Sequence, residues 1–329
     1  MLCDMTQSES RGVSLAYQLG NVPDFAMILN RLQLRHAVRL TTIVVCSLAL
    51  SACKTGILDP RGPIGAAEKS ILIDSIAIMV AIVAPTIVAI FGFAWWFRAS
   101  NTKARYLPHW HYSGRIELVV WAIPALVVML LGGVTWLGSH ELDPAKPIAS
   151  PQPTLEIQVV SLDWKWLFIY PDQRIATVNT LTIPVGAPVH FSLTSSDVMN
   201  VFFIPQLGSM IYTMNGMTTR LNLKADSAGV FHGLSSHFSG DGFSDMSFEV
   251  HAVSPADFST WAQTSSRAPT TLDSRSYAEL ARQGIKIAPA TYRLGDSSLF
   301  QSIVMQNKDS GPEPENLHSV AASGGSDVR

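Results

Sequence analysis

Gly233 to Met246 reads GLSSHFSGDGFSDM. The stretch is polar, punctuated by glycines, closed by a methionine and followed by an alternating run. That is the layout of a metal-binding loop. Yet it holds one histidine, His237, and no cysteine. The cysteines of the chain are Cys3, Cys46 and Cys53, and none follows Cys53. The long remainder can form neither an internal disulfide nor a thiolate metal site. His232, His237 and His251 follow no standard ligand spacing and read as ordinary loop or strand histidines.

Two further residues could do chemistry. Glu117 stands at the start of an apolar run. An acid in a first helical turn complements the helix dipole, and an ionisable group at the edge of a membrane span is also a functional candidate. Cys53 ends the run Leu50-Ser51-Ala52-Cys53, behind the basic residues Arg31, Arg35 and Arg39 and the apolar run Leu40–Leu50. That apolar run is too short to cross a hydrocarbon core of about 30 Å. The order of basic, apolar and small-residue segments makes a signal peptide, and its ending resembles the bacterial lipobox, which implies lipidation of Cys53. Residues 1–52 are therefore read as an N-terminal extension plus lipoprotein signal, with Met27 placed to start a signal of ordinary length.

The elements that position these residues follow from composition. The chain has 329 residues, 47% of them hydrophobic and 15% charged, with mean hydropathy +0.23. That is too apolar for an ordinary soluble domain. A net charge of −2 gives no electrostatic footprint for nucleic acid. Ile76–Phe97 and Leu118–Leu137 carry no charge, and each is long enough to span a bilayer. Trp95, Trp96 and Trp136 lie near the span ends, where interfacial aromatics sit. Asp74 is read as a boundary residue. Arg98, Lys103, Arg105 and Arg115 place the connecting loop in the cytoplasm. Beyond Leu155 the period becomes two: LEIQVV, PVHFSL, TRLNLK and FEVHAV alternate as half-buried strands do. Roughly seven or eight such strands predict a β-sandwich.

Hence 53–70 is a periplasmic segment, 71–97 and 116–138 are spans, and 98–115 is a cytoplasmic loop. The sandwich covers 152–254, a helical extension 255–307 and a disordered tail 308–329. Ser254-Pro255 and Asp273 open helices in that extension.

This architecture resembles subunit II of the haem–copper respiratory oxidases. The similarity is carried by GRIELVVWAIPALVV, ASPQPTLEIQVVSLDWKWLFIYP, SDVMNVFFIPQLG and the loop GLSSHFSGDGFSDM. It covers roughly residues 53–305 and implies a cupredoxin-like sandwich. Copper-bearing members of the family supply two cysteines with a Glu between them, then a His and a Met, and a further upstream His. At the matching positions stand Ser235, His237, Ser239, Phe243 and Met246, with Asn200 upstream. Only Met246 is retained. A dinuclear copper needs soft bridging thiolates, which serine cannot supply.

Members without this copper take electrons from quinol, and the pattern is most similar to the bo-type ubiquinol oxidase branch. The resemblance implies a structural, non-catalytic subunit with no cofactor of its own. It places haem and copper in a partner subunit I, with further small membrane subunits, membrane lipid and ubiquinol as partners of the complex. It implies an inner-membrane location, with the sandwich in the periplasm and Glu117 at the mouth of a proton-uptake channel. Trp164 and Trp166 are read as packing residues. Two other readings stand beside this one. One is subunit II of a cytochrome c oxidase, against which the absent cysteines argue. The other is a free-standing membrane-anchored binding or assembly protein, which would purify without haem.

Mass spectrometry of the mature chain should find a lipid-modified Cys53 at its N-terminus. Intact residues 40–52 would contradict it. Cys53→Ser should alter processing while leaving the protein membrane-bound through its two spans.

Overall fold

A computed structural model describes residues 56–105 and 107–309. Cys53, the signal segment and the tail beyond residue 309 lie outside them. Helix α1 runs Pro63–Trp96 and α2 runs Gly114–Glu141. Pro63 opens α1 at a position where its missing N–H is harmless. Pro85 and Pro124 sit inside continuous helices. At 34 residues α1 is about 51 Å long, well beyond a bilayer core of about 30 Å. It begins ahead of the charge-free run, so its first turns can reach the sandwich. Both helices present open apolar faces, with Val88 70% and Trp121 76% exposed. They approach closely at Gly138, where a Cβ would lie 2.9 Å from Ile71 Cδ1.

Two sheets follow. Strands β1 (Leu155–Leu162), β2 (Lys165–Tyr170), β3 (Ile175–Val178), β5 (Pro188–Ser195) and β8 (Thr219–Lys224) belong to the larger. Strands β4 (Thr180–Pro184), β6 (Asn200–Phe203), β7 (Met210–Thr213), β9 (Gly229–Ser235) and β10 (Ser247–Val253) form the smaller, in the order β4-β10-β9-β6-β7. The pairs β1–β5 and β4–β10 are parallel. Between the sheets Phe202 stacks on Phe248 at 5.2 Å, and Trp166 meets both edge-on.

The sandwich is as expected, but the strands outnumber the expectation. All six residues of β2 are buried, which hides the period-two signal there. Burial on both faces has a cause in the extension. Its helices are α3 (Pro255–Ser265), α4 (Ser274–Leu280) and α5 (Leu299–Asp309), and it also adds the strands β11 (Thr271–Leu272) and β12 (Ala290–Leu294). These strands extend the larger sheet to β11-β12-β3-β2-β1-β5-β8. Leu299, Phe300, Ile303 and Val304 then pack with Leu162, Leu167 and Ile169 in a second core. Lys165 Nζ donates to the Arg282 carbonyl at 2.6 Å, and Asn179 Nδ2 donates to that of Ile287 at 2.8 Å, so the extension is also latched by polar bonds. Burial lowers the Lys165 pKa, and the nearby Asp163 carboxylate opposes the shift.

The first turns of α1 are tied to the sandwich by backbone. Arg61 N–H donates to the Gln206 carbonyl at 2.6 Å and Gly65 N–H to that of Leu207 at 3.0 Å, while Asp226 N–H donates to the Arg61 carbonyl at 2.8 Å. Glu68 Oε1 accepts both the N–H and the hydroxyl of Ser209, at 2.8 and 2.9 Å. No Cβ fits at the two closest points of this seam. A Cβ on Gly62 would fall 2.1 Å from the Lys224 carbonyl oxygen, and one on Gly208 would fall 2.6 Å from Gly65 N. The chain leaving α2 is held too: the Pro144 carbonyl accepts from Asn222 N at 2.9 Å and Nδ2 at 3.1 Å.

Gly208 has φ +101, so alanine there meets both backbone strain and collision. Gly208→Ala should destabilise the solubilised protein by more than about 1 kcal/mol, read as a lowered unfolding temperature. Gly132→Ala, whose Cβ meets nothing within 4 Å, should not. Equal unfolding temperatures for both variants would contradict the seam's importance.

Candidate functional site

The loop 233–246 closes one end of the sandwich, between the end of β9 and the start of β10. Ser235 and Asn200 are both buried. The Ser235 hydroxyl lies 3.2 Å from Asn200 Oδ1 and 3.3 Å from the His237 carbonyl, and it accepts the Val201 N–H at 3.5 Å. Asn200 Nδ2 donates to the Val198 carbonyl at 3.1 Å. Ser235 N–H donates to the Met246 carbonyl at 3.1 Å, and the Met246 side chain belongs to the main core. Thus the side chains of Asn200 and Ser235 meet, with the Met246 backbone beside them.

The other three expected positions face different neighbours. His237 is exposed, with its ring 5.8 Å from that of Tyr212. Phe243 opens a single 3₁₀ turn and packs edge-on to Phe238 at 5.7 Å. Ser239 is buried, and its hydroxyl has no partner among the described residues. Its carbonyl accepts the Trp164 Nε1–H at 3.3 Å.

Trp164 is the seat of the loop, a more specific role than packing in general. A Cβ on Gly242 would fall 2.4 Å from Trp164 Cγ, and one on Gly240 would fall 3.1 Å from Cζ2. Both glycines therefore lie flat on the indole. The signal was present in the two glycines of the GDG triplet, but the sequence does not say what they approach. Trp166 is a core residue, wholly buried.

The donor set does not fit a dinuclear copper. Hydroxyls and a carboxamide replace thiolates and imidazole, and the Ser235 hydroxyl is already engaged by protein groups. Soft copper chemistry needs deprotonated sulfur bridges. Among the described residues no group of three or more His, Cys, Asp or Glu could hold a metal ion.

Glu117 lies in the first turn of α2 and is exposed. The Ser113 side chain at the N-cap makes no capping bond, so nothing else on that turn offsets the positive helix end. Among the described residues its carboxylate has no ion-pair partner.

The profile of the family described as the periplasmic domain of cytochrome c oxidase subunit II matches residues 167–253. Over 276 residues the chain is 44% identical to the cytochrome bo(3) ubiquinol oxidase subunit 2 of Pseudomonas aeruginosa, covering 84% of this chain and 83% of that one. The chain belongs to the ubiquinol oxidase subunit 2 family. The ubiquinol oxidase subunit 2 of Acetobacter aceti is 47% identical over 237 residues, 71% of this chain and 77% of the relative. The quinol oxidase subunit 2 of Bacillus cereus is 32% identical over 260 residues, 77% and 89% of the two chains. The sandwich of this family member is cupredoxin-like, and its two apolar helices fit a membrane-anchored oxidase subunit.

If the loop keeps the shape of a copper site, chemistry alone bars the metal. The substitutions Ser235→Cys, Ser239→Cys, Asn200→His, Phe243→His and His237→Glu together should give a protein that binds two coppers and is strongly coloured by thiolate-to-copper charge transfer, with weak occupancy where outer contacts are unoptimised. The unaltered sandwich should hold none. Metal analysis with visible absorption checks both. Copper bound by the unaltered sandwich, or a folded and colourless variant, would contradict one half or the other.

Proposed function

We propose that this chain is the non-catalytic subunit II of a proton-translocating ubiquinol oxidase of a bacterial inner membrane. Quinol oxidation and oxygen reduction to water take place in subunit I, which carries the haems and the copper. The observation that carries the reading is the filling of both thiolate positions by the buried hydroxyls of Ser235 and Ser239 inside an otherwise intact sandwich. Such a loop cannot receive electrons from a soluble donor. Quinol delivers them from within the bilayer, so the relay is dispensable while the scaffold is not.

The chain then has a mechanical and an electrostatic task. Its helices pack beside subunit I, and the glycine seam fixes the sandwich to them. The basic loop Arg98–Arg115 lies in the cytoplasm and the sandwich in the periplasm. Lipidated Cys53 would sit on the same outer face. Glu117, exposed at the inner end of α2, raises the local proton supply at the mouth of the uptake path.

Gently solubilised, tagged protein should bring haem-containing subunits with it; a haem-free preparation would contradict the assignment. Within that complex Glu117→Ala should slow turnover partially, with haem content unchanged. Glu117→Asp, which keeps an acid, should be milder. Turnover like that of the unaltered complex at every accessible pH would leave Glu117 with its helix-dipole role alone.

A further inference from the structure

The connection between α1 and α2 holds a cavity of about 430 Å³, lined among others by Phe97, Arg98, Asn101, Arg105 and Trp110. Its wall is built. Asn101 Nδ2 donates to the Trp96 carbonyl at 2.6 Å, which folds the loop back on the helix end. Arg98 is held by Nη1 on the Trp95 carbonyl at 2.9 Å and by Nε on Ser100 Oγ at 3.0 Å, with its guanidinium 5.0 Å over the Trp95 ring. These bonds leave Nη2 of its planar fork without a partner among the described residues. No acidic side chain pairs with Arg98, Lys103 or Arg105 among the described residues. The cavity therefore carries uncompensated positive charge beside an exposed apolar helix end.

A second hollow, about 410 Å³, runs along α1 and is lined by Ala89, Gly92, Phe93, Trp96 and Phe97. Phe97 lines both hollows. At Gly92 the hollow is floored by bare backbone, and a Cβ there would point into open space. Trp95 and Trp110, 65% and 60% exposed, are the kind of aromatic that favours a membrane–water interface.

A basic cavity that continues into an apolar groove matches a ligand with a phosphate at one end and an acyl chain at the other. We propose that this connection and the adjoining groove of α1 bind one anionic phospholipid, its headgroup phosphate on Arg98 and Arg105 and an acyl chain along Gly92 and Phe93. A free phosphate shares the headgroup chemistry but would leave the groove unused. A zwitterionic lipid would fill the groove but would leave the charge uncompensated. Basic pockets at the ends of membrane helices are suited to anionic headgroups for this electrostatic reason.

The test uses the purified, assembled oxidase, stripped of loosely bound lipid and titrated with phosphatidylglycerol under native mass spectrometry. The unaltered complex should hold one more phosphatidylglycerol than a complex carrying Arg98→Gln with Arg105→Gln, whose affinity at this site should fall about tenfold or more. Gly92→Leu, which fills the groove and leaves every charge in place, should lose the same lipid. Excess inorganic phosphate should not displace it, and phosphatidylcholine should not replace it. Displacement by phosphate would make this a soluble-anion site and overturn the proposal. Equal binding of phosphatidylcholine, or unchanged retention in the variants, would overturn it as well. Should the arginine variant fail to assemble, as haem content reveals, the Gly92→Leu complex decides the matter alone.

Discussion

The structure depends on a contact made chiefly of backbone. Gly62, Gly65 and Gly208 let the start of α1 lie against the backbone at Gln206–Ser209 and Lys224. The approach is too close for any Cβ at Gly62 or Gly208. Side-chain packing alone would let a long helix rock against a sandwich, because apolar contacts carry no direction. Backbone bonds from Arg61 and Gly65, reinforced by the Glu68 carboxylate on Ser209, fix both distance and angle. The return chain is fixed in the same manner at Pro144 and Asn222. The sandwich is thus held at two places, by the start of α1 and by the chain leaving α2.

That arrangement gives a sense to a loop without its metal. The fold around loop 233–246 is maintained by Trp164 beneath, by Asn200 beside it and by the aromatic core behind it. None of these supports needs copper. Ser235 and Asn200 satisfy each other where metal ligands would be bridged by the metal. A buried polar pair of this kind avoids the cost of unpaired groups. The scaffold can therefore persist after the electron relay has gone, provided that electrons enter the enzyme elsewhere.

Much of this was legible in the sequence, and for physical reasons. Bilayer thickness calls for long apolar runs, so the candidate spans at 76–97 and 118–137 stand out. Thiolate chemistry requires cysteine, so its absence past Cys53 settles the loop's chemistry before any fold is known. Other features were not legible. Gly208 and Gly242 are plain as glycines, yet the groups they approach, Gly65 and Trp164, lie far away in the chain. Strand β11 is too short, at two residues, to carry a period. The second core escaped because burial of β2 on both faces erases the alternation that a one-sided strand shows. Of the six candidate positions, the structure brings the Asn200 and Ser235 side chains together beside the Met246 backbone, while His237 and Phe243 find ring partners of their own.

The central claim is that electrons reach this oxidase without passing through the sandwich. Oxygen consumption by the purified complex, measured with a soluble ubiquinol and separately with reduced cytochrome c, tests it most directly. The account predicts rapid consumption with ubiquinol and none above background with cytochrome c. Sustained turnover on reduced cytochrome c would contradict it, because a loop of hydroxyls and a carboxamide offers that donor no acceptor.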